Sequence, residues 1–140
     1  MEKILISSDS SLCVEFGSSI SEEINQRVNA FAKLLEKENV PGVTELVPTY
    51  RSVTVHYRPE QISYARLRTV LEELSHRNVA VVQELQPEIV IPVLYGGTCG
   101  PDLPRVAALH GLTEEEVVRL HTAPSYLIYM MGFLPGFCYL

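Results

Sequence analysis

The 140-residue sequence has no tryptophan, only three cysteines, and fewer basic than acidic side chains, 11 Lys and Arg against 17 Asp and Glu. Cys13, Cys99 and Cys138 are odd in number and far apart, so a disulfide framework or a cysteine-rich zinc site is not expected. A reducing compartment, the cytoplasm, is the expected location. The net charge of −6 argues against nucleic acid as a partner, because phosphate contacts need local positive charge.

Long apolar runs are also missing, so no membrane partner is expected. Residues 123–140 carry no charge, but Gly132, Pro135 and Gly136 interrupt this stretch, and a membrane span needs roughly 20 apolar residues. It is nevertheless the most aromatic part of the sequence, which makes it a candidate for burial or binding.

The first half of the sequence alternates strand and helix patterns. Short apolar runs at 4–6, 12–16, 43–47 and 51–57 predict strands. Helices are predicted after Ser19 or Ser21 and after Ser63, whose hydroxyls can accept hydrogen bonds from free helical N–H groups. Pro41-Gly42 is the predicted stop of the first helix. This order predicts an α+β sandwich of ferredoxin-like type over residues 1–86, in which 79–85 is either a closing strand or the approach to a linker.

Pro87 is the predicted start of a second domain, residues 87–140. Its pattern predicts a strand at 88–95, helices at 102–110 and 113–121, a strand at 126–131 and a glycine–proline loop at 132–137. The spacing of Ala107, Gly111 and Val117 fits a helix-turn-helix, but acidic residues 114–116 open the second helix, where DNA phosphates would lie. A plain helical hairpin is therefore expected.

Four features have residues suited to catalysis or binding, and each also has a purely structural interpretation. The glycine-rich run 96–102 can present N–H groups to an anion, or form a tight turn in which Asp102 caps the next helix. His121 can act in acid–base catalysis, or interact with a helix dipole. Cys138 can be a nucleophile or a small buried thiol. The aromatic terminal stretch 132–140 can form the wall of a groove or pack in a core. No metal-ligand spacing is visible.

Several runs together resemble the allophanate hydrolase subunit 1 family, which includes the B subunit of the bacterial 5-oxoprolinase and the sporulation kinase inhibitor KipI. The matching runs are 41–43, 48–52, 55–57, 91–97, 100–103, 121–126 and 129–140. Cys138 stands where proline or another small residue is expected, so a cysteine nucleophile is not a family feature. The resemblance implies an N-terminal α/β domain and a cyclophilin-like β-barrel domain. Family members are longer, so we expect 87–140 to be only the opening of the barrel, with open strand edges, exposed apolar surface and self-association.

The resemblance also implies a function. We expect a subunit of a bacterial ATP-dependent amide or lactam hydrolase, of 5-oxoprolinase or allophanate hydrolase type, inactive alone. ATP would be the cofactor of the assembled complex. The partners would be a second subunit, of the type of allophanate hydrolase subunit 2 or the 5-oxoprolinase C subunit, and a third 5-oxoprolinase subunit. Two alternatives stay open: an inhibitor of a sporulation-type histidine kinase, and a carboxyltransferase partner in biotin-dependent urea carboxylation.

In this family context, His121 is the expected group for proton transfer or substrate orientation. The expected substrate or partner cleft combines residues of both family signatures. They are Tyr95, Gly96, Gly97, Gly100, Asp102, Tyr126, Gly132, Phe133, Pro135, Gly136, Phe137 and Tyr139.

Overall fold

The computed structural model describes residues 2–77 and 87–140. The chain divides into two compact units, Met1–Glu84 together with Ile128–Leu140, and Leu85–Leu127. The second unit is thus inserted in the sequence between two segments of the first. The predicted domain boundary at Pro87 and the two predicted domains stay predictions, although the last residues of the chain belong to the first unit.

The first unit is built on a four-stranded antiparallel sheet. Its strands are β1 (Lys3–Ser8), β2 (Ser11–Glu15), β3 (Val43–Pro48) and β4 (Ser52–Tyr57), in the order β1-β2-β4-β3. In the central strand β4, buried and half-buried residues alternate, because successive side chains of a strand point to opposite faces of the sheet. The fully buried valines and leucine of β2 and β4 form the sheet side of the core: Leu12, Val14, Val53 and Val55.

Two helices supply the other side of this core. Helix α1 (Glu22–Glu38) begins at Ser21, whose Oγ accepts a hydrogen bond from the Ile24 N–H at 3.2 Å. It ends at Asn39, which is left-handed at φ 46°, so the helix stops just before the predicted Pro41-Gly42 stop. Helix α2 (Tyr64–Ser75) begins at Ser63 in the same way. The buried side chains of the two helices are Asn25, Val28, Phe31, Ala32, Leu35, Leu67, Leu71 and Leu74.

The α+β class is confirmed at the level of a mixed fold with a four-stranded antiparallel sheet and helices. Among the described residues, strand β1 pairs with β2 alone, and β4 lies between β2 and β3. The finer descriptions, ferredoxin-like and cyclophilin-like, stay predictions. The predicted closing strand at 79–85 lies outside the described residues.

The end of the chain forms a small hairpin within the first unit. Strands β5 (Met130–Met131) and β6 (Cys138–Tyr139) pair antiparallel, and the Tyr129 N–H extends the pairing to the Tyr139 carbonyl at 2.9 Å. The predicted strand at 126–131 is therefore wrong for its first residues. Within residues 2–77 and 87–140, residues 126–128 have no partner strand, and a strand forms only where a partner pairs with it.

The second unit contains a single 3-10 turn (Gly97–Cys99) and two helices, α3 (Leu103–His110) and α4 (Glu114–Thr122), within its described residues 87–127. Both helices lie where the sequence predicts them, and left-handed Gly111 at φ 64° ends α3. The predicted strand at 88–95 is wrong. Pro92 lacks a donor, and no segment of residues 2–77 or 87–140 pairs with this run. In the part of the chain that is described, no helix is long and apolar enough to span a membrane.

Candidate functional site

His121 lies in the last turn of α4, with its imidazole beside two tyrosine rings. Its Nδ1 is hydrogen-bonded to the Tyr95 hydroxyl, and the Tyr95 ring meets the imidazole edge-on at a centroid distance of 5.8 Å. The Tyr126 ring lies at the same centroid distance, and its hydroxyl donates to the His121 carbonyl at 2.8 Å. Because Nδ1 is engaged, Nε2 is the nitrogen that remains for a ligand; among the described residues it has no hydrogen-bond partner.

The segments that contain Tyr95 and Tyr126 are also connected to each other near this cluster. Tyr95 lies immediately before the glycine turn, and Tyr126 follows the end of α4 after Pro124. Between them, the Ser125 Oγ donates to the Glu88 carboxylate at 2.7 Å, which ties the segment after α4 to the segment before Tyr95. The position of the imidazole is therefore set by contacts with two separate segments as well as by the helix.

The glycine run is a tight turn. The Gly96 carbonyl accepts hydrogen bonds from the N–H groups of Cys99 at 3.2 Å and Gly100 at 3.0 Å, so these donors are not free to hold an anion. Gly96 and Gly97 have positive φ, 77° and 54°, which favours glycine. A Cβ added to Gly100 would lie 2.7 Å from the Gly96 nitrogen, closer than side chains approach backbone.

Asp102 precedes α3, but the expectation that it caps the helix through its side chain is wrong. Its carboxylate makes no capping hydrogen bond. The physical reason is its backbone conformation, φ −88° and ψ −9°, because a residue whose side chain caps a helix needs an extended backbone. Thr113 does have that conformation before α4, and it forms a capping box with Glu116.

A groove of about 540 Å³ opens between the glycine turn and α4. Its α4 wall carries carboxylates at one end and a guanidinium further along the helix. The lining residues are Tyr95, Gly96, Leu103, Glu114, Glu115, Val118, Arg119 and Thr122. Tyr95 belongs both to the wall of this groove and to the cluster around His121. Arg119 was not predicted from the sequence; its position two residues before His121, one turn after the acidic start of α4, is the signal that marks it.

The remaining predicted cleft residues lie in the terminal hairpin of the first unit. The loop is closed by hydrogen bonds from the Gly132 N–H to the Phe137 carbonyl and from the Phe137 N–H to the Leu134 carbonyl, at 3.1 and 3.0 Å. Phe133 and Gly136 are left-handed, at φ 62° and 80°. Phe133 is 85% exposed, so this side chain does not pack in the core that the described residues form. The ring centroid of Phe137 lies 6.1 Å from that of Phe133 and 5.3 Å from that of Tyr139.

A buried asparagine that the sequence analysis missed fixes this hairpin. Asn25 on α1 is 4% exposed, and its Nδ2 lies 3.1 to 3.4 Å from three carbonyl oxygens, those of Thr49, Tyr50 and Tyr129. The ring centroid of Tyr50 lies 5.3 Å from that of Tyr129 and 6.2 Å from that of Tyr139. The signal was an amide on the apolar face of a predicted helix, three residues before Val28.

The predicted site residues therefore divide between the two units, and their functional roles stay predictions. The second unit contains Tyr95, Gly96, Gly97, Gly100, Asp102, His121 and Tyr126, and the first unit contains Gly132, Phe133, Pro135, Gly136, Phe137 and Tyr139. Cys138 Sγ lies 3.6 Å from the Gly136 carbonyl, and no histidine among the described residues pairs with it. Within residues 2–77 and 87–140, no cluster of His, Cys, Asp and Glu is placed to hold a metal ion.

The sequence matches the family described as carboxyltransferase domain, subdomain C and D, over residues 2–140. The chain belongs to this family. It is 36% identical over 143 residues to the 5-oxoprolinase B subunit of Bacillus subtilis (strain 168), covering 94% of this chain and 59% of that protein. It is 41% identical over 109 residues to the 5-oxoprolinase B subunit of Escherichia coli O157:H7, covering 73% of this chain and 46% of that protein.

A solved structure is also similar to this chain. The crystal structure of TTHA0988 is similar with a TM-score of 0.68 and 37% sequence identity, covering 90% of this chain and 24% of that one. The chain thus spans about three fifths of the Bacillus subtilis relative and a smaller share of the other two proteins.

Proposed function

We propose that this chain acts within the B subunit of a 5-oxoprolinase complex and has no activity without its partner subunits. The observation that carries the proposal is the similarity to proteins named as this 5-oxoprolinase subunit from three bacteria, the third 32% identical over 133 residues. A subunit designation implies a multi-subunit assembly. The kinase-inhibitor, allophanate hydrolase and carboxyltransferase alternatives stay predictions, as does the cytoplasmic location.

The proposed reaction is the ATP-dependent opening of 5-oxoproline to glutamate by the whole complex. The lactam carbonyl oxygen attacks the γ-phosphorus of ATP, and ADP leaves. Water adds to the activated carbon, the C–N bond breaks as its nitrogen takes up a proton, and a second water releases phosphate from the resulting acyl phosphate. Activation is required because an amide carbonyl is a poor electrophile and its amine a poor leaving group.

His121 is the residue of this chain that we assign to proton movement or carbonyl orientation. Its imidazole is accessible, Tyr95 engages Nδ1, and Nε2 is free among the described residues. An imidazole is suited to this work because its ordinary pKa lies near neutrality. The other candidate group, Cys138, has no such arrangement.

The test is reconstitution of the complex. The chain is co-produced with the second and third subunits, co-purified, and assayed for glutamate release from 5-oxoproline with and without ATP. We expect His121→Ala to lower kcat by about 100-fold or more, the range of general acid–base contributions. His110→Ala, a change at an exposed histidine on α3, is the matched control and should leave turnover unchanged.

The outcomes separate the parts of the proposal. If the subunits do not co-purify and no ATP-dependent glutamate forms, the proposed complex is wrong. If turnover occurs and His121→Ala matches the wild type, the role of His121 is wrong. Loss of histidine-kinase autophosphorylation on addition of the chain, without lactam turnover, supports the inhibitor alternative instead.

A further inference from the structure

The groove between the glycine turn and α4 has features of a binding site for a small anionic molecule. We propose that it binds a small ligand that carries one carboxylate and one N–H donor, with Arg119 as the carboxylate anchor. The inference rests on the proposed function, because such a ligand has the chemistry of a cyclic amide amino acid. It goes further by assigning substrate recognition to the residues of this groove.

Arg119 is the residue that points to the carboxylate. Its guanidinium has no ion pair and no side-chain hydrogen bond within the part of the chain that is described, although Glu115 stands four residues earlier at a spacing that permits one. A guanidinium presents a planar fork of donors that matches a carboxylate in two parallel hydrogen bonds. An unpaired arginine on the wall of this open groove therefore favours a carboxylate ligand.

The other side chains of the groove further restrict the chemical class of the ligand. The groove volume of about 540 Å³ lies in the range of small-molecule sites. Leu103 and Val118 offer apolar contact, and Glu114 and Glu115 offer acceptors for an N–H group. The same two carboxylates repel a polyanion, since like charges at close range raise the energy of binding. A nucleoside triphosphate is therefore a poorer occupant than a small monocarboxylate, whose single charge Arg119 can pair.

Tyr95 connects the proposed ligand groove to His121. Tyr95 lines the groove, and its hydroxyl is hydrogen-bonded to His121 Nδ1. A ligand seated in the groove thus lies against the residue that orients the imidazole. Arg119 and His121 lie two residues apart on α4 and therefore on different faces of the helix, so Tyr95 is the side chain that links the groove to the imidazole.

The experiment compares two ligands and two arginines. The full chain is titrated with 5-oxoproline and with 2-pyrrolidinone, the same ring without its carboxylate, and backbone amide shifts are followed by NMR. We expect the shifts caused by 5-oxoproline to centre on the groove residues. Arg119→Gln should weaken 5-oxoproline binding at least about tenfold and leave 2-pyrrolidinone binding unchanged, since it removes only charge-assisted hydrogen bonds to the carboxylate.

Arg105→Gln is the matched control, because Arg105 is an exposed arginine on α3 that is not part of the groove wall. It should leave both titrations unchanged, and a dispersed amide spectrum of each variant shows that it is folded. If Arg119→Gln and Arg105→Gln bind 5-oxoproline equally, or if no carboxylate binds in an Arg119-dependent way, the proposal is overturned even when the complex turns over. If acetate or glutamate binds through Arg119 and 5-oxoproline does not, the groove stands as a carboxylate site but the proposed ligand is wrong, and the turnover of the reconstituted complex decides the proposed function separately.

Discussion

At the scale of single residues, Asn25 shows how one buried side chain fixes a distant segment. A buried amide must satisfy its donors, and Asn25 does so with backbone carbonyls of the β3–β4 turn and of the terminal hairpin. Asn29 in turn donates to the Asn25 Oδ1 at 3.0 Å. The cost of losing Asn25 is therefore the cost of several carbonyls left without a partner.

We expect Asn25→Ala to lower the free energy of unfolding by about 2 kcal/mol, the usual penalty when buried polar groups lose their hydrogen bonds. Urea denaturation of the whole chain measures the change. Gln26→Ala is the control, because the Gln26 side chain donates to exposed Glu22 on the same helix. Equal stability of the two variants would show that Asn25 has no such role.

Individual functional residues were only partly predictable. His121 stood out because the chemistry of histidine at a helix end is local information. Asn25 and Arg119 did not, because their importance comes from what lies opposite them in space, and a single sequence does not show such neighbours. Asp102 shows the opposite error: it has the right residue type for a cap, but its backbone conformation is wrong for one.

At the scale of elements, the helix starts and the four strands of the first unit followed the sequence, and the strands predicted within residues 87–140 did not. Ser21, Ser63 and Thr113 each cap the helix that their residue type predicts, because the capping hydrogen bond spans only three residues. The predicted strands at 88–95 and 126–131 failed wholly or in large part. An apolar run becomes a strand only where a partner is available, and that is decided by the fold.

The capping box of α4 gives a prediction at this scale. We expect Thr113→Ala to destabilise α4 by about 1 kcal/mol, since the Glu116 N–H loses its acceptor Oγ1 at 3.2 Å. Hydrogen exchange at the Glu116 amide should accelerate by about fivefold, which corresponds to that energy. Thr113→Ser keeps a hydroxyl and should restore slow exchange; fast exchange in both variants would contradict the assignment.

At the scale of the whole molecule, the second unit exposes much apolar surface. Five apolar side chains between residues 89 and 94 are each more than half exposed, with Val90 at 86%. The predicted exposure of apolar surface in residues 87–140 is thus confirmed for this segment. Contiguous apolar surface of this kind marks an interaction site or a tendency to associate, so the predicted self-association stays a prediction that can be measured.

We expect the chain to associate as its concentration rises, and Val90→Lys with Leu94→Lys to shift it toward the monomer. Sedimentation velocity over a range of concentrations measures the distribution. Gln61→Lys with Thr69→Lys adds the same two charges at exposed polar positions of the first unit and serves as the control. A wild type that stays monomeric throughout, or a control that disperses it equally well, would rule out this surface as the cause.

The hydrogen bond from Asn25 to the Tyr129 carbonyl joins residues 104 positions apart, with the whole second unit between them. The two ends of the first unit cannot meet until that intervening chain exists, and closing so long a loop is slow. During synthesis, the sheet and its helices can form early, but the contacts that Asn25 makes with the hairpin must wait for Tyr129 to emerge. The order in which the ribosome delivers the chain therefore makes the aromatic hairpin the last part of the first unit to fold.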